Sequence, residues 1–239
     1  MTQDEQAMAA GEQGASHWGD LPILGQDPTR TYHLGIMGGT FDPIHYGHLV
    51  AAESAHDQLD LDVVVFMPAG RPNFKQDKRV TSGDDRFAMT LAATRDNDHF
   101  AASRFEIDRE GVTYTAETLR RLRDIYPPNV EFHFISGADA ISEVVSWHDA
   151  GTIARLAHLV GATRPGYDLS DAEEAFATAP WDFDVTYLEV PALAISSKSM
   201  VCLGALPWLA VQTASLRVLP VIISFNSMKK QRSVKGSKM

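Results

Sequence analysis

Apolar positions along this chain fall into two rhythms that take turns. Thr31–Met37 is a short β-like run that closes on Gly38-Gly39. From about His48 to Leu59, Leu49, Ala52 and Ala55 recur at helical spacing and Leu59 ends the stripe. Val63-Val64-Val65-Phe66-Met67 is an unbroken apolar run stopped by Pro68, the signature of a strand buried on both faces. Asp84–Thr94 reads as a helix carrying Phe87 and Leu91, Phe100–Ile107 as a strand, and Thr115–Ile125 as a helix for which Thr115 is a natural N-cap. Glu131–Ser136 predicts another strand. His158–Ala162 and Val185–Val190 predict two more, flanking an acidic helix at Ser170–Thr178. Residues 1–30 are polar and aperiodic and are expected to be a mobile leader.

Strands alternating with helices through short Gly- and Pro-containing connections predict an α/β domain, a doubly wound, mostly parallel sheet of Rossmann-like form with helices on both faces. In such folds ligands bind at the carboxyl ends of the strands, near the reversal of strand order. Gly38–His48 and Ser136-Gly137-Ala138-Asp139 both fall at predicted strand-to-helix turns, so both are expected to face that crevice.

Charge divides the chain. The net charge is −10, which argues against a nucleic-acid partner bound through a basic surface. All 31 acidic residues lie between Asp4 and Glu189, with 14 of the 21 Lys and Arg, a balance of −17. From Val190 to Met239 there are seven basic residues and no acid. The single cysteine, Cys202, excludes an intramolecular disulfide and suits a reducing compartment. The acidic start, Met1–Gln6, lacks the apolar stretch of a secretory signal, so a cytoplasmic protein is expected. Ser199–Leu216 is uncharged for eighteen residues, but Pro207, Gln212 and Thr213 argue against a membrane anchor.

The candidate chemistry centres on Gly38-Gly39-Thr40-Phe41-Asp42-Pro43-Ile44-His45-Tyr46-Gly47-His48. Two glycines after a buried strand let the backbone approach a ligand and offer N–H groups to phosphate oxygens; a tight turn with no ligand uses the same residues. His45 and His48, three apart at the start of a helix, share one face. There they can donate hydrogen bonds to a phosphate gaining negative charge, aided by the helix dipole. Zinc ligation by this pair would require a third ligand, and no cysteine or His/Asp cluster supplies one.

This segment resembles the H-x-G-H motif of the nucleotidyltransferase superfamily, and more narrowly that of the bacterial nicotinate-mononucleotide adenylyltransferases. The resemblance runs from about Tyr32 to Ser197 and draws on four further segments: Pro68–Lys75, Gly111–Leu119, Phe134–Ala140 and Ser146-Trp147-His148. It implies adenylyl transfer from ATP to nicotinate mononucleotide, with Mg²⁺, and no nucleic-acid or membrane partner; a homo-oligomer is compatible with it. It implies catalytic roles for His45, His48 and Lys75. ATP contacts fall on Gly38, Gly39, Thr40, Phe41, Gly137, Asp139, Ile195, Ser196 and Ser197, and substrate contacts on Thr40, Lys75, Tyr114, Thr115, Asp139 and Trp147. From the residues alone, Trp147 serves equally as core, Lys75 as a solvated loop cation, and Thr115 or Asp139 as a helix cap.

The superfamily's second signature, I-S-S-T-x-I-R, reads here Ile195-Ser196-Ser197-Lys198-Ser199-Met200-Val201, so Lys198 replaces the threonine and Val201 the arginine. Domain boundaries are accordingly expected at 31–197, with 198–239 an atypical tail, consistent with a shifted reading frame or a fusion near Lys198.

Overall fold

The computed structural model describes residues 21–71 and 80–191, together with the backbone of a short strand at 232–234. Strands β1 (Tyr32–Gly39), β2 (Val63–Pro68), β3 (Phe100–Ala102), β4 (Val130–Gly137), β5 (Ala157–Thr163) and β6 (Val185–Glu189) form a parallel sheet. β7 (Arg232–Val234) is added antiparallel to β6, giving the order β3-β2-β1-β4-β5-β6-β7. The expected doubly wound sheet is therefore present, with strand order reversing between β1 and β4.

Helices α1 (Tyr46–Leu59), α2 (Gly83–Thr94), α3 (Thr115–Ile125), α4 (Ala138–Ser142), α5 (Ala150–Leu156) and α6 (Ser170–Thr178) connect the strands, with a 3₁₀ turn at Val144–Ser146. The strands bury both faces. Leu34, Ile36, Val65, Met67, Phe132, Phe134, Leu159 and Val185 pack with Leu119 and Leu122 of α3 and Ile153 of α5. Met37, Val64, Phe66, Ile135, Val160 and Leu188 pack on the other face with Leu49, Ala52 and Ala55 of α1 and Met89 of α2. Period-two alternation with apolar residues at both phases is why β2 reads as an unbroken run.

Several boundaries differ from the sequence reading. β3 ends at Ala102, and Phe105 to Asp108 form a turn instead. Thr115 is not the cap of α3: Tyr114 occupies the N-cap, in extended conformation, and Thr115 is the first helical residue. Asp139 is likewise inside α4, whose N-cap is Gly137. The short α4 and α5 carry too few turns to show a period.

Residues 21–30, expected within a mobile leader, are held against the body. Leu21 and Leu24 pack on the α3-side core, and the Tyr126 hydroxyl donates to the Pro22 carbonyl (2.7 Å). Asn129 donates to the carbonyls of Asp27 and Arg30 (both 2.9 Å), and Arg30 pairs with Asp62. Gly25 has φ 87° and lies so close to Pro127 that a Cβ there would sit 2.4 Å from its ring. Only two leucines mark this segment, too few for a periodic signal. Chains beginning at residue 31 are expected to unfold about 2–3 kcal/mol more easily than chains beginning at residue 21, in urea titrations, from the lost leucine burial and hydrogen bonds.

Candidate active site

The carboxyl end of β1 delivers Gly38, Gly39 and Thr40 to the edge of the sheet beside the end of β4, where strand order reverses. Gly39 is packed by the ring of Phe41, and a Cβ there would lie 2.9 Å from it. Phe41 sits in the left-handed region (φ 48°), which costs a bulky residue about 1 kcal/mol or more. Burial offsets that cost: Phe41 is 2% exposed, and its ring lies against Phe66 and edge-on to His48 at 5.0 Å. The Phe41 side chain is thus turned into the core, where it supports His48.

His45 is the N-cap of α1 and His48 its third residue. The His45 backbone N–H donates to Nδ1 of His48 (3.2 Å). A nitrogen that accepts carries no proton, so neutral His48 is protonated on Nε2 and presents that N–H as its donor. The two rings stack 3.8 Å apart at 24°. Burial, with the neighbouring His45, holds His48 down to about 3, and burial also lowers His45. Both rings are therefore neutral near pH 7 and act as N–H donors, not as standing cations. Near-parallel rings also aim their in-plane lone pairs side by side, and among the described residues no chelating group of three includes either histidine.

A cavity of about 290 Å³ opens between the ends of β1 and β4. Gly38, Gly39, Thr40 and Ala69 form one side, Phe134, Ser136 and Ala140 another, and Thr113, Tyr114, Thr115, Trp147 and His148 close over it. Trp147 is both things its sequence allowed: it packs on the core, T-shaped to Phe134 at 6.1 Å, and lines the cavity. Tyr114 stacks obliquely on His148 at 4.5 Å. His45 and His48, at the N-cap and in the first turn of α1, stand outside the cavity lining. Gly137 and Asp139 are outside it too, with Gly137 open (a Cβ would meet nothing within 4 Å) and the Asp139 carboxylate accepting from the Tyr167 hydroxyl at 2.6 Å. Lys75, Ile195, Ser196 and Ser197 lie outside the described residues.

Two charged residues that the sequence reading missed brace this site, one buried and one partly buried. Arg86 of α2 is 1% exposed, and its guanidinium donates to the carbonyls of Thr40 (2.7 Å), Thr81 (3.0 Å) and Gly70 (3.1 Å). Its fork therefore ties the β1 turn, the end of β2 and the start of α2 together. Glu106, in the cavity wall, accepts from the Thr118 hydroxyl (2.7 Å), and burial pushes its carboxyl up to about 7. Gly70 is required here, because a Cβ on it would lie 2.1 Å from the Glu106 carbonyl oxygen. Neither charge interrupts an apolar period: Arg86 sits at the polar start of its helix, and Glu106 follows a strand-like run.

Replacing Arg86 with Met should cost about 3–5 kcal/mol in chemical denaturation, since three carbonyls lose their donor and Glu106 its nearby cation. Glu106 gives a pH signature with a definite sign. Its folded pKa lies above the ordinary value of 4.5, so its stabilising contribution is full below pH 4.5 and is lost as pH rises through 7. Glu106→Gln should leave Tm nearly unchanged at pH 4.5 and raise stability at pH 8 by on the order of 1–3 kcal/mol; an unchanged pH profile of Tm would refute this.

Comparison with known proteins matches this geometry to a family. The cytidylyltransferase-like family model matches residues 36–206. A probable nicotinate-nucleotide adenylyltransferase of Moorella thermoacetica is 50% identical over 171 residues, covering 71% of this chain and 79% of the relative. One from Clavibacter sepedonicus is 50% identical over 169 residues, covering 71% and 80%. Among solved structures, Plasmodium falciparum nicotinic acid mononucleotide adenylyltransferase complexed with NaAD superposes with a TM-score of 0.56 at 19% identity, covering 70% of this chain and 82% of that one, a likeness of fold. Among the described residues no helix is long and apolar enough to cross a membrane. By the extent of the family match and by half-identity over most of two relatives, this chain belongs to the cytidylyltransferase-like family and, within it, to the nicotinate-nucleotide adenylyltransferases.

Proposed function

We propose that this chain transfers the adenylyl group of ATP to nicotinate mononucleotide, giving nicotinate adenine dinucleotide and pyrophosphate. The observation that carries the reading is one juxtaposition. The glycine turn and stacked histidine pair adjoin a cavity closed by Tyr114, Thr115 and Trp147. The first pair of features suits phosphates; the second suits a flat ring bearing a carboxylate.

A phosphate oxygen of the mononucleotide attacks the α-phosphorus of ATP. A new P–O bond forms, the bond from the α-phosphorus to the bridging oxygen breaks, and its electron pair leaves with pyrophosphate. No side chain need bond to the reacting phosphorus, so the protein's work is positioning and charge stabilisation. His45 and His48 donate N–H bonds to oxygens that gain charge, and Gly38, Gly39 and Thr40 let the backbone approach them. Lys75 and Ser197 assist at the phosphates, while Tyr114, Thr115 and Trp147 select the pyridine ring and its carboxylate. Mg²⁺ fits this site only as part of the nucleotide substrate. Of the two chelating groups among the described residues, neither lines the cavity, and Mg²⁺ is commonly held by phosphates and water.

One observation favours a second reading, a nucleotide binder with little turnover. Val201 and Lys198 stand where the family's second signature has arginine and threonine. A bidentate contact to the triphosphate is then missing, and a lysine replaces it only as a point charge.

Pyrophosphate release with ATP and a panel of nicotinate mononucleotide, nicotinamide mononucleotide and pantetheine phosphate separates these. Turnover is expected with nicotinate mononucleotide first, and His48→Ala should lower kcat/KM roughly 10²–10³-fold with a much smaller change in ATP affinity. Calorimetric ATP binding without turnover on any acceptor would establish the second reading instead.

A further inference from the structure

At the end of the sheet opposite the cavity, strand register assembles a group of side chains that adenylyl transfer does not use. In β1, Leu34 and Ile36 face the α3 side, so His33 faces the α1 side. In β4, Val130, Phe132 and Phe134 face the α3 side, so Glu131 and His133 share the face of His33. The register then places them together: His33 is directly opposite Glu131, and His133 is opposite Gly35, which presents no side chain between the two imidazoles. His33 Nδ1 and His133 Nε2 are 3.1 Å apart, and His33 Nδ1 is 3.6 Å from a Glu131 carboxylate oxygen. The two rings meet at 64°.

We propose that His33, Glu131 and His133 bind a divalent transition metal of the zinc class, with water in the remaining position. The donor set suits it, since two imidazoles and one carboxylate select Zn²⁺, Co²⁺ or Ni²⁺ over Mg²⁺. The spacing suits it too. With zinc–ligand bonds of about 2.0–2.1 Å in tetrahedral array, adjacent donor atoms lie roughly 3.3 Å apart. The separations from His33 Nδ1, 3.1 and 3.6 Å, fall on either side of that value, and all three ligand atoms lie within 4.8 Å of one another. Burial is graded as a metal entering from solvent requires: His133 is buried, His33 partly exposed and Glu131 exposed.

A second group, Glu53, His56 and His99, is less suited. Its two imidazoles are stacked 3.8 Å apart at 10°, so their lone pairs run parallel, and Glu53 is already bonded by His99 and Asn97 (both 2.9 Å).

The metal would clamp β1 to β4, the two strands that part at their other ends to form the cavity. Six residues along β1 from His33, at about 3.3 Å each, put the clamp roughly 20 Å from Gly39. Its effect is therefore on stability, through preferential binding to the folded chain.

The test uses the full chain, freed of metal by chelation, with Zn²⁺, Co²⁺ and Mg²⁺ as probes. Zn²⁺ should raise Tm and bind at one equivalent at this site, Mg²⁺ should do neither, and Co²⁺ should give the visible absorption of a tetrahedral centre. His33→Ala should weaken Zn²⁺ binding by more than the roughly 10–100-fold that loss of an outer-shell partner costs. Glu131→Gln, at an exposed position with little bearing on folding, should weaken it as well and dim the Co²⁺ bands. His56→Ala should leave both unchanged. Zn²⁺ affinity and Co²⁺ spectra identical in the unaltered chain, His33→Ala and Glu131→Gln would overturn the proposal, as would loss of binding in His56→Ala alone or no Zn²⁺ binding by the unaltered chain.

Discussion

Strand β1 is hydrogen-bonded to β2 on one side and to β4 on the other, all three parallel. Crossovers between parallel strands are right-handed, so helices that lead away from β1 in opposite directions must pack on opposite faces. α1 and α2 accordingly cover one face and α3, α5 and α6 the other. No helix can then lie over the gap between the ends of β1 and β4. The cavity occupies that gap, and both turns of chemical interest, after Gly39 and after Gly137, open onto its surroundings.

Placing the β1–α1 turn at an open gap requires something to hold it, and here that is the buried Arg86. Arg86, itself buried, bonds one guanidinium to carbonyls of three separate segments and so ties them to one point. Glu106 lies across the same junction, with the cations of Arg86 and Arg109 opposing the effect of its burial. Three donors in a rigid planar fork fix three backbones at once, a task to which a lysine's single ammonium is poorly matched. Phe41 completes the brace by filling the space beneath His48 in spite of its own unfavourable backbone conformation.

The histidine pair gains its character from this setting. A backbone N–H directed at Nδ1 fixes the tautomer of His48, and burial keeps the ring neutral where a free histidine would be partly charged. In the proposed reaction, a neutral donor would leave the attraction of ATP to cations while answering charge that builds up in the transition state. The acidic surface of the protein makes that division of labour consequential.

Much of this was legible in the chain itself. The alternation of apolar periods identified six parallel strands and the main helices, because burial on two faces and on one face leave different rhythms. The Gly38–His48 block marked the turn that meets the cavity, because a glycine pair and histidines at i and i+3 are local arrangements. Contacts made across the fold were not legible. Arg86 meets Thr40 forty-six positions away, Glu106 enters a cavity wall after its strand has ended, and Leu21 and Leu24 rest on a core assembled from later residues. His33 and His133, a hundred positions apart, become neighbours only once β1 and β4 pair in register. Local sequence dictates what the backbone does over a few turns, whereas the partner of a buried charge, and hence its pKa and its role, is set by which strands lie side by side.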